Sequence, residues 1–383
     1  MRAARSASGK LIRALTARFL LLLTATPVEN RLQDLYEMIS LVAPGLLGTP
    51  AQFRIRHAPS GHDVGSPRNL TELRARTRQV MVRHRRSEVA LRLPQRLAET
   101  ILVTPDADER NMYAELTERV RAEAKEAPAG RRLALRSVVR LAGSTPAAAA
   151  PTLAKLGWTD LAGAAGAITD PAKARLLVAK LGEHAARGEK VLVFTAFRQT
   201  LDVVAKAVRA AGIDPAVYHG SLPRADKERA IMEFRDRKPV LLSTESAGEG
   251  RNLQFCHVMI NLDLSWNPMQ IEQRLGRLHR VGQTHDVLLT NLACRGSIEE
   301  RILHVLETKI NMFELVVGEL DMILGRIDED FDFEQAVFDA FTATDDAGFV
   351  RRMAELGDQL AAARTTYLSD RRTVDILVGT DGS

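Results

Sequence analysis

Between residues 190 and 291, short and wholly apolar runs alternate with stretches of helical period. That alternation constrains the fold more than any other feature of the chain. Residues 190–195 (KVLVFT), 216–218, 239–243, 258–262 and 286–291 read as strands. Apolar runs without in-and-out alternation suit strands covered on both faces, as in a parallel sheet. Residues 199–211 and 224–234 read as helices, as do 171–181 before the first strand and 297 to about 316 after the last. Strands separated by helices of about 10–15 residues predict βαβ units, hence an α/β fold with a mostly parallel sheet and flanking helices.

Open α/β sheets bind ligands beyond the carboxyl ends of their strands, and here those ends are polar. Phe194-Thr195-Ala196-Phe197-Arg198 follows the first strand and Tyr218-His219-Gly220-Ser221 the second. Ser243-Thr244 opens a segment that runs through Gly248, Gly250, Arg251 and Asn252. After residues 258–262 come Asp263, Trp266, Asn267 and Pro268. Asparagine is a good helix N-cap, and proline is favoured at the first helical position, where its missing N–H would lack a partner anyway. The helix predicted to start there carries Gln273, Arg274, Gly276, Arg277 and Arg280. Steps of three put its arginines on roughly one face, where they repel one another unless anions lie opposite. Taken singly, these features are ordinary. A basic stripe is usually a solvated face, a lone histidine such as His219 is usually structural, and Gly248-x-Gly250 is weak.

Their order and the longer string are not ordinary. Gln273-Arg274, Gly276-Arg277 and Arg280, continuing into Val281-Gly282-Gln283, resemble the last motif of the Swi/Snf-type DNA translocases among the helicases. RNA helicases of the DEAD-box type usually have His where Gln273 stands and lack the trailing Gly-Gln, which favours the DNA branch. The segments at 194–198, 218–221 and 243–254 resemble the preceding motifs of the same carboxyl-terminal lobe. The resemblance implies a RecA-like lobe. It implies that Arg277 and Arg280 act as arginine fingers on the γ-phosphate of ATP, with Gln273 coupling nucleotide to DNA. Backbone amides around Gly248, Gly250, Arg251 and Asn252 would line the nucleotide cleft. Arg198, His219, Gly220, Ser221 and Thr244 would contact the DNA backbone, and Trp266 and Asn267 would touch DNA or brace the helix. The implied cofactors are ATP and Mg²⁺, with no metal ligand from this chain. The implied partner is double-stranded DNA.

Nearer the amino terminus, residues 19–23 are apolar and lead into Thr24, Ala25 and Thr26. A helical pattern over 32–42 then ends at Pro44-Gly45. A buried strand, a turn and an amphipathic helix explain this by themselves. The longer string Leu23 to Asn30 resembles the coupling motif III that closes lobe one in the same family. A P-loop needs GxxxxGK followed by Ser or Thr; Gly9-Lys10 fails, because Leu11 follows and Ala4 stands where the first glycine should. Asp108-Glu109-Arg110 and Asp328-Glu329-Asp330 lack the apolar strand that should precede an acidic box. ATP and Mg²⁺ are therefore expected to be held mainly by a lobe-one segment outside these residues. A separately encoded lobe-one polypeptide is one expected partner. A non-catalytic DNA- or protein-binding remnant is the alternative reading.

Charge is unevenly distributed. Residues 51–100 hold 11 Lys/Arg against 4 Asp/Glu, whereas residues 318–383 hold 6 against 15. The first suggests a polyanion-facing surface; its run of Arg74, Arg76, Arg78, Arg83, Arg85 and Arg86 reads as a solvated face, with phosphate contacts as the alternative. The second reads as an acidic helical tail packed on lobe two, avoiding DNA or mimicking it. Cys256 and Cys294 form no CxxC and suit a reducing cytoplasm, with the protein at the nucleoid. No apolar run approaches the ~20 residues needed to span a membrane. Four segments are expected: 1–105, a lobe-one remnant with motif III and a basic insertion, ending in a strand at 99–103; 106–168, a helical stretch whose 142–168 part is an Ala/Gly/Pro linker; 169–317, lobe two; and 318–383, the tail.

Overall fold

The computed structural model describes residues 18–22, 32–57, 68–82, 94–244, 253–279, 282–312, 319–327, 331–343 and 345–378. The chain divides into two compact units, Met1–Arg92 with Asp321–Phe331 and Gln359–Ser383, and Leu93–Leu320 with Asp332–Asp358.

In chain order the elements begin with α1 (Leu32–Val42), α2 (Pro50–His57) and α3 (Leu70–Thr77). In the first unit these three pack around Leu35, Tyr36, Phe53 and Leu73. The second unit opens with β1 (Arg96–Val103), then α4 (Ala107–Ala124), α5 (Ala129–Ser144), α6 (Pro146–Lys155) and α7 (Thr159–Ala167). There follow α8 (Ala172–Ala186), β2 (Val191–Phe194), α9 (Arg198–Ala210), β3 (Ala216–Tyr218), α10 (Arg224–Asp236) and β4 (Val240–Ser243). Next come β5 (Val258–Asn261), α11 (Pro268–Leu278), β6 (Val287–Cys294) and α12 (Ile298–Ile310). The last helices are α13 (Glu319–Leu324), α14 (Phe333–Ala343) and α15 (Asp346–Val378).

The six strands form one sheet in the order β1-β6-β5-β2-β4-β3, parallel throughout. Both faces are covered, which is why β2, β4 and β5 lack apolar/polar alternation. Leu192, Phe194, Leu241 and Met259 meet Phe234 of α10 and Leu275 and Leu278 of α11 on one face. Val191, Val193, Leu242 and Ile260 meet Leu177 and Leu181 of α8 and Val204 and Val208 of α9 on the other.

Three expectations change. The strand expected at 99–103 to end lobe one is β1, and it pairs along its whole length with β6, from Arg96 opposite Val287 to Val103 opposite Cys294. It is therefore the outer strand of the same sheet, and the first segment does not reach 105. A strand belongs to whichever ladder satisfies its N–H and C=O groups, which sequence neighbours do not reveal. The linker expected over 142–168 is helical and packed: α5 runs to Ser144, α6 starts at Pro146, and Ser144, Thr145, Ala148, Ala149 and Leu153 are buried. Pro146 is at the first helical position, where proline starts a helix rather than breaking one, and the alanines after it are the strongest helix formers.

The apolar run at 19–23 is the third change. Residues 18–22 form no strand, and Phe19 and Leu21 are 86% and 80% exposed. Among the described residues no neighbour completes a ladder for them. Thr24, Ala25 and Thr26 lie outside the described residues.

Three carboxylates of the acidic tail pair with arginines of α4 and α5. In α14, Phe333, Val337, Phe338 and Phe341 are buried. Asp339 pairs with Arg132 at 2.6 Å and Glu334 with Arg140 at 3.1 Å, both on α5. Asp346 at the start of α15 pairs with Arg121 of α4 at 2.8 Å.

Candidate functional site

Two polar clusters lie at the carboxyl edge of the sheet, one exposed and one buried. The exposed one is built at the ends of β2 and β3. Arg198 is the first residue of α9, exposed, with its Nε 3.1 Å from both oxygens of Asp202 one turn on. Beyond β3, His219 Nδ1 lies 2.9 Å from Ser221 Oγ, and Lys227 in the first turns of α10 reaches back to donate to the Gly220 carbonyl at 2.6 Å. Burial lowers the His219 pKa, the Arg198 and Lys227 charges lower it further, and Asp202 opposes them. These four side chains therefore sense one another's charge, and His219 is neutral at pH 7. Thr244 continues from β4 and donates its N–H to the Tyr218 carbonyl at 3.1 Å. The structure thus gathers Arg198, His219, Gly220 and Ser221, with Thr244 tied to β3 beside them. It adds Lys227, which the sequence reading missed because a lysine on a helix looks like surface. A guanidinium, an ammonium, an imidazole and a hydroxyl together suit phosphate oxygens, contacts that by themselves carry no sequence information.

The arginine helix α11 starts as expected. Asn267 Oδ1 accepts the Met269 N–H at 2.9 Å, and Pro268 takes the first helical position. Trp266 is 2% exposed. Contact with DNA, one of its two expected roles, is corrected: a buried indole offers no ring face to a ligand. Ile271, Glu272, Arg274, Leu275 and Leu278 face inward, while Gln273 is exposed and Arg277 half-exposed one turn later.

Arg274 and Arg277 do not share a face. Arg274 is buried, stacked 5.3 Å from the Phe194 ring, and donates to Asn261 Oδ1 at 2.9 Å. A step of three on a helix leaves a 60° offset, enough to turn Arg274 into the core and Arg277 out of it. Arg280, Gly248, Gly250, Arg251 and Asn252 lie outside the described residues. The trailing Gly-Gln is structural. Gln283 donates to the carbonyls of Gln254 and Cys256, each at 3.1 Å, and accepts the N–H groups of Thr284 and His285. Gly282 adopts φ +102, which side chains disfavour.

The buried cluster centres on Asp263, 1% exposed at the end of β5. It accepts the Thr195 hydroxyl, the Ala196 N–H at 2.7 Å and the Ser144 hydroxyl at 2.6 Å. Ser144 also lies 2.7 Å from Thr200 of α9. Alongside it runs a buried ion pair, Lys173 with Glu299. Lys173 also donates to the Gly143 carbonyl at 2.8 Å, and Glu299 accepts the Leu264 N–H at 3.1 Å. Burial disfavours the Lys173 ammonium, but the negative groups around it, Glu299 first and then Cys294 and Asp263, together hold its pKa above the ordinary value, while burial pushes Glu299 up to about 7. Asp263 thereby fixes the turn that presents Arg198 and joins it to the α5–α6 junction. The sequence showed Asp263 only as a turn residue and Ser144 only as linker. No signal marked Lys173 or Glu299, because their partnership spans 126 residues.

Two domain families match in succession. The SNF2-related domain matches residues 1–144, and the helicase conserved C-terminal domain matches residues 172–282. The chain belongs to the Swi/Snf-related helicase family. A Bacillus subtilis (strain 168) relative named uncharacterized ATP-dependent helicase YqhH is 33% identical over 341 residues, covering 86% of this chain and 60% of that protein. The DNA repair and recombination protein RDH54 of Saccharomyces cerevisiae (strain YJM789) is 24% identical, covering 81% of this chain and 36% of that protein. The chain thus spans less than two thirds of the length of either relative. Among solved structures, the Sulfolobus solfataricus SWI2/SNF2 ATPase core in complex with dsDNA is 21% identical, covering 82% of this chain and 65% of that one, with a TM-score of 0.44. Among the described residues no helix is long and apolar enough to cross a membrane, and no cluster of His, Cys, Asp or Glu is placed to hold a metal.

Proposed function

We propose that this chain contributes the DNA-gripping and phosphate-sensing half of a Swi/Snf-type ATP-dependent DNA translocase. The observation that carries the reading is the exposed cluster of Arg198, His219, Ser221 and Lys227 on a rigid sheet edge. It offers donors to a phosphate backbone, and such contacts position a protein without reading sequence. Membership of the helicase family and a relative named for DNA repair support double-stranded DNA as the ligand. Gln273 and Arg277 face outward from α11, so they fit a polyphosphate better than a core position. With Arg280 they would meet the phosphates of ATP, and bound ATP with Mg²⁺ would supply the phosphoryl transfer that drives movement. Gly248, Gly250, Arg251 and Asn252 would line the nucleotide cleft. Thr24, Ala25 and Thr26 would couple that cleft to DNA, and Asn267 would hold the start of α11.

The 383 residues include neither a P-loop nor an acidic box, so hydrolysis needs those parts from outside them. A separately supplied lobe-one polypeptide would provide them, and the exposed apolar residues Phe19 and Leu21 suit pairing with such a sheet. The same observation favours a second reading, a DNA-binding chain without turnover of its own. Salt titration of duplex binding by residues 1–383 tests the grip. The logarithm of affinity should fall with the logarithm of salt, and removing Arg198 and Lys227 together should reduce the slope by about 0.9 per lost phosphate contact. Salt-insensitive binding, or a slope unchanged in the double variant, would sink the proposal. DNA-stimulated ATPase in the presence of a P-loop-bearing lobe one, lost on Arg277→Ala, separates the two readings.

A further inference from the structure

Helix α5 grips the chain on both sides of Arg198. Arg198 opens α9, so Phe197 stands at the N-cap position of that helix and Thr200 in its first turn. An N-cap favours Ser, Thr, Asp or Asn, whose side-chain oxygen takes a free helix N–H. Phenylalanine has no such oxygen, and the Phe197 side chain caps nothing. A local preference broken at one position points to another use for the residue.

That use lies on the ring face. The Arg140 guanidinium sits 5.6 Å from the centre of the Phe197 ring, inside the about 6 Å over which a ring face attracts a cation. One turn further along α5, Ser144 Oγ lies 2.7 Å from the Thr200 hydroxyl. Ser144 has one proton and gives it to Asp263, so Thr200 donates to Ser144. Residues four apart share a helix face, so Arg140 and Ser144 act from one side of α5 on residues before and after Arg198. The backbone there is tied as well. Phe197 donates its N–H to Thr195 Oγ1 at 3.2 Å and its carbonyl accepts the Leu201 N–H at 3.0 Å.

Arg140 is itself held, donating to Glu334 of α14 at 3.1 Å. Helix α14 is fixed along α5: Arg132 pairs with Asp339, Arg136 donates to Gln335 at 3.3 Å, and Val337 and Phe338 are buried. The Arg140 and Glu334 side chains are 22% and 17% exposed, against 46% and 53% for Arg198 and Asp202. Water screens the second pair more than the first, so Arg198 can exchange its carboxylate for a phosphate while Arg140 stays in place.

We infer that Arg140 is a positioning residue for DNA binding: held by Glu334, it clamps Phe197 and sets the direction in which α9 presents Arg198. The inference rests on the reading of Arg198 as a phosphate contact. It gives Glu334 a part that favours DNA binding, whereas a carboxylate acting by its charge alone would oppose it.

A double-variant cycle tests the clamp, read by fluorescence anisotropy of a labelled duplex with residues 1–383 at one salt concentration. Arg140→Met keeps much of the side-chain stem and removes the guanidinium. It should weaken binding roughly two- to fivefold in the unaltered chain, as expected within one contact network, and by less than about 1.5-fold once Arg198→Ala is present. Glu334→Ala should weaken binding in the same way, although it removes a negative charge. Tighter binding by Glu334→Ala would overturn the positioning role. So would an Arg140→Met loss that persists beside Arg198→Ala with a salt slope lower by about 0.9, because Arg140 would then be a phosphate contact of its own. Unchanged affinity in Arg140→Met would overturn it too. If Arg140→Met does not fold, Phe197→Leu carries the same cycle. An Arg198→Ala chain that binds like the unaltered one would remove the phosphate reading, and the DNA role of Arg140 with it. The clamp itself is then read from His219 by NMR titration. The Arg198 charge lowers the His219 pKa, so Arg140→Met should raise it in the direction that Arg198→Ala does, and no shift would overturn the clamp.

Discussion

The two polar clusters at the sheet edge use similar residues to opposite ends. Around Arg198 and His219, charges stand in water, their partners are one helical turn or a short loop away, and Ser221 and Gly220 leave room for a ligand. Around Asp263, Lys173 and Glu299, charges are out of water, and their partners come from distant parts of the chain. An exposed ion pair such as Arg198–Asp202 adds little to stability because water screens it. A buried pair has lost its hydration and depends on its partner, so removing one member strands the other. The exposed cluster can therefore change partners and the buried one cannot. One suits binding, and the other suits holding the binding groups in place.

That contrast is easiest to break at the ion pair. Lys173→Ala should destabilise by roughly 3–5 kcal/mol in urea titration, and replacing both partners by Met and Leu should recover most of the loss. Arg198→Ala should move the same measurement by less than about 0.5 kcal/mol. Equal effects would erase the distinction. Within α11 the same logic separates two arginines. Arg274→Ala loses a charged, buried hydrogen bond to Asn261 worth about 1.5–3 kcal/mol. Arg277→Ala should cost less than about 1 kcal/mol and, on the proposed function, abolish DNA-stimulated turnover in the presence of a P-loop-bearing lobe one. If Arg274→Ala left stability intact, its structural assignment would be wrong. Gly282→Ala, placed at φ +102, should cost about 1–2 kcal/mol, visible as a lower Tm.

The smallest effect sharpens the exposed side. His219 has a pKa below its ordinary value, so it is neutral at pH 7 and gains a proton only in more acidic solution. The native state binds that proton less readily than the unfolded chain. This contribution to stability is thus present above the ordinary imidazole range and lost as pH falls through it. DNA affinity should move the other way, tightening in acid as a cation is added, with the salt slope rising by about 0.9. His219→Ala should flatten both trends in a fluorescence-anisotropy titration.

Much of the second unit was legible. The apolar runs marked β2 to β6 to within a few residues, because strands covered on both faces leave an unbroken apolar signature. Asn267-Pro268 marked the start of α11, because capping and a fixed φ are local chemistry. Arg198, His219 and Ser221 were legible as candidates because they follow strand ends, and the family likeness joined them into one reading. Lys227 was not, since only the turn of α10 brings it to Gly220.

The sequence by itself determined the class of fold and the family, and it named the candidates for phosphate contact, all of which depend on short strings. Tertiary structure decided the rest. It assigned residues 96–103 to the lobe-two sheet, turned Pro146 from an expected break into a helix start, and put Arg274 and Trp266 in the core. It also made Lys173, Glu299 and Asp263 into one support. Backbone pairing and burial are satisfied by whichever groups come together in space, and partners more than a hundred residues apart leave no local pattern from which to read them.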